Sequence, residues 1–245
     1  MDILSLERSA LAAWPALTVE TIGGWVFRSA AGCTKRANSA NALTPSLPFE
    51  RIRGEAEAYY AREGLPTIFR VTPLADVDDE LARAGYDLRD PSIVMTAPLT
   101  AARPSGKVRI DTSPSPAWLS GIAAANGLTA AMRPAHDAIV GAIAAPAAFA
   151  ALDDGGSPIG FGLAVCDQGM VGLFDIVVAP DQRGRGHGRA ITAALLHWGR
   201  QAGARSAYLQ VRDGNAAALA LYADLGFTEA YRYHYRIAPE GIARD

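Results

Sequence analysis

The stretch Val177-Val178-Ala179-Pro180-Asp181-Gln182-Arg183-Gly184-Arg185-Gly186-His187-Gly188-Arg189 decides how this chain is read. A hydrophobic run, Val171 to Val178, enters it, and an amphipathic run, Ala190 to Trp198, leaves it. The pattern is strand, glycine-rich loop, helix. Three glycines at alternate positions clear one side of the backbone, so amides there can approach an anion closely. They stand at a helix N-terminus, where unpaired N–H groups and the dipole favour phosphate. Arg183, Arg185 and Arg189 add fixed positive charge around the same turn. The physical reading is a pyrophosphate cradle.

Two familiar cradles are excluded. No Lys-Ser or Lys-Thr follows the glycines, as a GxxxxGK[ST] phosphate loop requires. A dinucleotide-binding GxGxxG would need glycine at position 189 and an acidic residue closing the next strand. The chain has Arg189, and the next strand ends Gln210-Val211. A second block lies downstream: Asn215-Ala216-Ala217-Ala218-Leu219-Ala220-Leu221-Tyr222-Ala223-Asp224-Leu225-Gly226-Phe227. The loop matches [Q/R]xxGx[G/A] as Arg183-Gly184-Arg185-Gly186-His187-Gly188, preceded by Val178-Ala179-Pro180, and the second block matches NxxAxxLYxxLGF. Through these two motifs and the helix and strand between them, the chain resembles the GNAT superfamily of acetyl-CoA-dependent N-acetyltransferases.

Composition sets the outer bounds. At 245 residues, 50% hydrophobic and 20% charged, the chain is globular and long enough for two compact domains. A net charge of −2 suggests neither a nucleic-acid nor a membrane partner. Cys33 and Cys166 lack metal-ligand spacing and read as reduced thiols of a cytoplasmic protein. No run reaches membrane-spanning length, and Met1 to Ala10, with Asp2, Glu7 and Arg8, does not read as a secretory leader. With four scattered histidines, no metal site is expected.

The expected organisation is α/β: tandem GNAT-like folds, each a mixed twisted sheet flanked by helices. Residues 1–100 form a degenerate unit, 101–106 a small, polar, proline-containing linker, and 107–245 the catalytic unit. In the second unit, Pro116 to Asn126 and Arg133 to Ala144 read as helices. Ala147 to Leu152 and Ile159 to Val165 form a hairpin around Asp153-Asp154-Gly155-Gly156. In the first unit, Leu17 to Arg28 and Arg36 to Leu43 read as strands, and Phe49, Ile52, Ala56, Tyr59 and Tyr60 as a helix stripe. Leu81-Ala82-Arg83-Ala84-Gly85-Tyr86 echoes Leu221 to Phe227, which suggests an internal repeat. The first unit has Pro45 and Pro48 where a cradle needs amide donors, so it is not expected to hold coenzyme. Residues 107–245 alone are therefore expected to retain the coenzyme site. Arg36 and Asn38 are placed on one face of a polar strand, either solvated or lining an acceptor cleft.

The resemblance adds roles residue by residue. Arg183, Gly184, Arg185, Gly186, His187, Gly188 and Arg189 would hold the pyrophosphate. Ile176, Val177 and Val178 would lie where the strand splays and takes the pantetheine arm, with the Val178 amide turned to the thioester oxygen. Asn215 reads as a helix N-cap, and the resemblance adds a bond to the pantetheine; Ala218 would be small because coenzyme passes close. Tyr222 would protonate the departing thiolate, or is simply a core aromatic. Asp175, the sole ionisable residue in Val171 to Val178, is the candidate base, with a structural hydrogen bond as the alternative and His234 and Glu229 in reserve. The implied reaction is acetyl transfer from acetyl-CoA to a primary amine in a ternary complex, by a monomer or homodimer. A different acyl-CoA donor, or a non-enzymatic coenzyme-A sensor, remains open at this level.

Overall fold

The computed structural model describes residues 2–99, 108–155 and 157–239. The linker at 101–106 and Gly156 of the hairpin turn lie outside the described residues. The strands are β1 (Thr18–Ile22), β2 (Trp25–Ser29), β3 (Ala40–Ala42), β4 (Ile68–Val71), β5 (Asp87–Pro98), β6 (Val108–Asp111), β7 (Ala147–Asp154), β8 (Ser157–Asp167), β9 (Met170–Val178), β10 (Ser206–Arg212) and β11 (Thr228–Ile237). The helices are α1 (Ile3–Ala13), α2 (Phe49–Arg62), α3 (Asp78–Arg83), α4 (Pro116–Ala125), α5 (Arg133–Gly141), α6 (His187–Gln201) and α7 (Ala216–Asp224).

Where two sheets are expected from the sequence, hydrogen bonding joins the eleven strands of the described residues into one, in the order β1-β2-β3-β4-β11-β5-β10-β9-β8-β7-β6. The join is an exchange between the halves. β11, the last strand, lies between β4 and β5 and pairs antiparallel with both. β5, from the first half, lies between β11 and β10, with Ser92 to Pro98 opposite Arg212 to Ser206. Each half thus closes its sheet with a strand of the other. A fragment beginning at residue 107 lacks β5 and would expose the backbone of both its neighbours. The expected boundary at 101–106 thus leaves a strand that the second half's sheet uses on the first half's side.

The second half follows the sequence reading closely. α4 begins at the Ser115 N-cap, whose Oγ accepts from the Trp118 amide. α6 packs Ile191, Leu195 and Leu196 with Leu173, Ala207 and Leu209 of the sheet. On another side of the sheet, Trp118, Ile122 and Ile139 of α4 and α5 meet Phe149, Phe161 and Leu163, together with Leu6, Ala10 and Ala13 of α1.

The first half departs from it in three places. The run Leu17 to Arg28 is not one strand but a hairpin, turned by Gly23 and Gly24 at φ 54° and 77°. Two successive positive φ values are the turn a tight hairpin requires. Arg36 to Leu43 is not one strand either. Lys35–Ala37 form a 3-10 turn before the short β3. The cause is Asn38: its Oδ1 accepts from the Ala30 and Gly32 amides, and its Nδ2 donates to the Cys33 and Thr34 carbonyls. A buried side chain that satisfies four backbone groups holds a loop and defeats a strand. Arg36 and Asn38 accordingly do not share a strand face. Finally, α1 escapes the sequence reading. Asp2 caps it by accepting from the Ser5 amide at 2.9 Å. Glu7 on its buried face pairs with Arg70 of β4.

We predict that residues 107–245 expressed alone show no cooperative thermal transition, and that co-expression with residues 1–106 restores one. A fragment that melts cooperatively and retains the ligand affinity of the whole chain would show β5 to be dispensable.

Candidate active site

β9 and β10 run parallel and pair at only four positions, Met170 to Leu173 opposite Ser206 to Leu209. Beyond Leu173 they part. β10 continues alongside β5 to Arg212, while β9 stays with β8 to Val178. The gap between them is a cleft of about 430 Å³. β9 supplies Leu173 to Ile176, β10 supplies Leu209 to Arg212, α7 supplies Asn215, Ala218 and Tyr222, and β11 supplies Tyr233 and Tyr235. The remaining wall comes from the first half: Thr34, Lys35, Arg36 and Asp90. The first half therefore completes the cleft.

The backbone at the bottom of the cleft is distorted. Phe161 faces Val177 and Leu163 faces Phe174, so the single residue Gly162 opposes both Asp175 and Ile176. This is a β-bulge, and Asp175 takes φ 49° within it. A left-handed backbone at a non-glycine residue costs about 1–3 kcal/mol and persists where the surroundings impose it. Asp175 lines the cleft at this bulge. Its carboxylate lies 3.3 Å from Nε2 of His136 and 3.7 Å from the Arg36 guanidinium. His136 is buried on α5, and its Nδ1 lies 3.4 Å from Asp137, which reaches toward the surface. Burial opposes the imidazolium, but Asp175 and then Asp137, by hydrogen bond and by charge, outweigh it and raise the His136 pKa above 6.5.

His136 is a site residue that sequence reading misses. It stands on an amphipathic helix 39 positions before Asp175, and the packing of α5 brings the two together. Conversely, His234 and Glu229, the reserve bases, lie outside the cleft. His234 bonds Asp78 at 2.6 Å, and Glu229 pairs with Arg232 on the surface.

The glycine loop follows β9 as expected. Gly184 and Gly186 have φ of 76° and 81°, and no atom lies within 4 Å of where a Cβ would stand on either. Gly186 is the N-cap of α6 and offers no side-chain cap. The first intrahelical donor is the Ala190 amide, bonded to Gly186 O, so the amides of His187, Gly188 and Arg189 face outward from the first turn. Arg183 donates to the Val178 carbonyl, Arg185 to the Asp181 carbonyl, and Arg189 pairs with Asp224 at 3.6 Å. All three arginines are thus steadied by neighbours around the loop. Val178 has a defined orientation. The Ala179 amide donates to Ile159 of β8, and donors alternate along a strand, so the Val178 amide faces the other edge, toward the cleft.

α7 bounds the cleft on the far side. Asn215 is its N-cap, accepting from the Ala218 amide at 3.2 Å through Oδ1, which leaves Nδ2 available. Tyr222 is buried, its ring edge-on to Phe227. Burial pushes its pKa up to about 12, so the phenol keeps its proton. Among the described residues no group of histidine, cysteine and carboxylate side chains could hold a metal, and no helix is long and apolar enough to cross a membrane.

A split between parallel strands, a bulged strand and an unoccluded helix N-terminus following it define the acetyltransferase fold that the two motifs resemble. A family profile described as "Probable histone acetyltransferase Rv0428c C-terminal" matches residues 1–236, and the chain belongs to this family of GNAT acetyltransferases. The chain is 32% identical over 244 residues to the uncharacterized N-acetyltransferase YobR of Bacillus subtilis, covering 96% of this chain and 98% of the relative. It is 29% identical to the probable histone acetyltransferase Rv0428c of Mycobacterium tuberculosis, covering 97% of this chain and 74% of that protein. Among solved structures, a GCN5-related N-acetyltransferase from Kribbella flavida superimposes with a TM-score of 0.74 at 16% identity, covering 99% of this chain and 98% of that one. A tandem GNAT protein from the clavulanic acid biosynthesis pathway superimposes with a TM-score of 0.58 at 15% identity, covering 98% and 89%. The protein is an acyltransferase of the GNAT kind.

The His136 environment gives a pH test. A folded pKa above the unfolded value stabilises the protein at low pH, and the contribution fades as pH rises through the folded value. His136→Gln should therefore be most destabilised relative to wild type below pH 6.5, with the gap closing above it, as read by denaturant unfolding across pH. A gap that is constant or widens with pH would contradict the pairing with Asp175.

Proposed function

We propose that this protein transfers an acetyl group from acetyl-CoA to a primary amine, by direct attack in a ternary complex. The observation that carries the reading is the cleft between β9 and β10. It sets a strand edge, a buried phenol and a carboxylate around one space, and the open N-terminus of α6 follows β9 in the chain. The division into a degenerate unit, 1–100, and a catalytic unit, 107–245, belongs to the same proposal, with the strand exchange tying the two together.

The amides of residues 184–189 are suited to the pyrophosphate, because a helix start offers donors and a positive dipole end together. Gly186 allows close approach where any side chain would strain the left-handed turn. The edge of β9 at Ile176, Val177 and Val178 is suited to the pantetheine arm as an added strand, and Nδ2 of Asn215 to its amide oxygens. Ala218 leaves the space a larger side chain would fill. The Val178 amide, turned to the cleft, is a fixed donor for the thioester oxygen as negative charge develops on it.

Chemistry then follows from the remaining groups. The amine enters as an ammonium ion and must lose a proton. Asp175 accepts it, directly or through a water. His136 and Asp137 form a line from the half-buried carboxylate toward the surface along which the proton can leave. The amine lone pair attacks the thioester carbon, the carbon–sulfur bond breaks, and sulfur departs as a thiolate. The Tyr222 hydroxyl, held protonated by burial, donates a hydrogen bond to that thiolate and supports its protonation. No nucleophilic cysteine is placed for a covalent route: burial raises the pKa of Cys33 and of Cys166.

Tyr222→Phe separates binding from chemistry. Calorimetry should find coenzyme-A affinity little changed, while kcat for amine acetylation falls about 10²-fold. An unchanged kcat would return Tyr222 to a packing role, and failure of the wild-type protein to bind coenzyme A would overturn the reading as a whole.

A further inference from the structure

Cationic side chains gather at the acceptor end of the cleft in excess of the carboxylates that face them. Arg36 stands on the wall donated by the first half, its guanidinium between the Trp14 ring at 5.0 Å and the Phe174 ring at 5.5 Å. Stacking fixes its plane without using its donors. Among the described residues the Arg36 guanidinium makes no hydrogen bond, and its nearest acid, Asp175 at 3.7 Å, is beyond hydrogen-bond reach. Directly behind it, Arg28, Arg36 and Arg70 converge with Gln210 on a small inner cavity, and Arg36 and Gln210 belong to both spaces.

The two inner arginines are not balanced either. Arg70 is buried, gives one nitrogen to Glu7 and lies 3.9 Å over the Tyr233 ring, yet its Nε and a second terminal nitrogen are buried without a partner. Arg28 donates only to carbonyls, those of Leu11, Trp14 and Arg36. Burial, with Arg70 next to it, lowers its pKa to about 10, and at neutral pH it remains charged. Among the described residues, Glu7 is the carboxylate in contact with the pair. At the cleft mouth Lys35 and Arg212 share the single Asp90. The buried Arg28 and Arg70, with Glu7 as their carboxylate, leave an excess of positive charge behind Arg36, which favours an anion arriving there.

Arg36 and Asp175 then act as a template. They set a cation and an anion side by side in one wall, loosely enough that each keeps its bonding capacity. The complement is a molecule with an anion and a cation side by side. Resting on the acetyl-transfer reading above, we infer that the acceptor is a small amine bearing a carboxylate beside its amino group, a free α-amino acid by class, with its carboxylate on Arg36 and its amino group on Asp175. Carboxylate suits Arg36 because the guanidinium fork matches it in two hydrogen bonds. A lysine side chain or a peptide N-terminus offers no neighbouring carboxylate and would leave Arg36 unmatched.

The test uses the full chain with acetyl-CoA, following thiol release with the common free amino acids, their carboxamides, the corresponding decarboxylated amines and short peptides. The best amino acid should exceed its own amide, amine and peptide roughly 10- to 100-fold in kcat/KM, mainly through KM. Arg36→Gln should collapse that ratio toward unity by raising KM for the acid. Arg36→Lys should restore part of it, since charge returns without the fork. Melting curves and coenzyme-A titration confirm that both variants are folded and loaded. Amides, amines or peptides used as well as acids, or an Arg36→Gln loss equal for all of them, would overturn the inference. If the chain binds coenzyme A but acetylates no amine, calorimetry with the same amino acids still decides: carboxylate-dependent binding abolished in Arg36→Gln supports it, and no binding refutes it. Failure of the acetyl-transfer reading is thus separable from failure of this one.

Discussion

β9 and β10 hold together for four residue pairs and then separate, and the rest of the molecule is arranged around that separation. Two parallel strands of a sheet do not part without cause, because each leaves backbone groups unpaired along the gap. Here two features hold them apart. The bulge at Asp175 and Ile176 bends β9 away while it keeps its ladder with β8. On the other side, β5 holds β10 along its whole length, so β10 cannot follow β9. The unpaired edges are what an extended ligand can use, in the manner of strand addition. The site is therefore made by the sheet itself, with the loops around it supplying charge.

That arrangement explains why the chain needs both halves. β5 comes from the first half and fixes β10. β11 comes from the second half and completes the first half's sheet between β4 and β5. The first half also provides Arg36, Lys35 and Asp90 to the cleft wall. On the proposed reading the first half, with Pro45 and Pro48 where a cradle needs amide donors, serves as a structural and recognition element. Its buried ion pair, Glu7 with Arg70, anchors α1 behind the site, and α1 in turn places Trp14 near the Arg36 guanidinium.

The second half was legible in the sequence because its signals are local. The glycine loop, the Asn215 cap and the Gly226 stop all act within a few residues, and each element appears where the pattern places it. Asp175 was legible by elimination, as the ionisable residue of an apolar strand. The bulge at which it stands was not, since bulges depend on pairing with β8. His136 was hidden because the contact with Asp175 joins α5 to β9. The first half is less legible because side chains compete there with backbone pattern. The Gly23-Gly24 turn is embedded in a continuous strand-like run, and Asn38 folds a loop from residues whose alternation suggests a strand. The exchange of β5 and β11 has no sequence signature, because both are ordinary alternating strands whose partners are chosen by topology.

The most direct measurement is a crystal structure of the full chain with coenzyme A. The account predicts one coenzyme per chain. Its pyrophosphate should contact the amides of residues 184–189, its pantetheine should lie against β9 at Ile176 to Val178, and its sulfur should sit within hydrogen-bonding reach of the Tyr222 hydroxyl. A coenzyme bound against the first half, or one that leaves the gap between β9 and β10 unused, would contradict it.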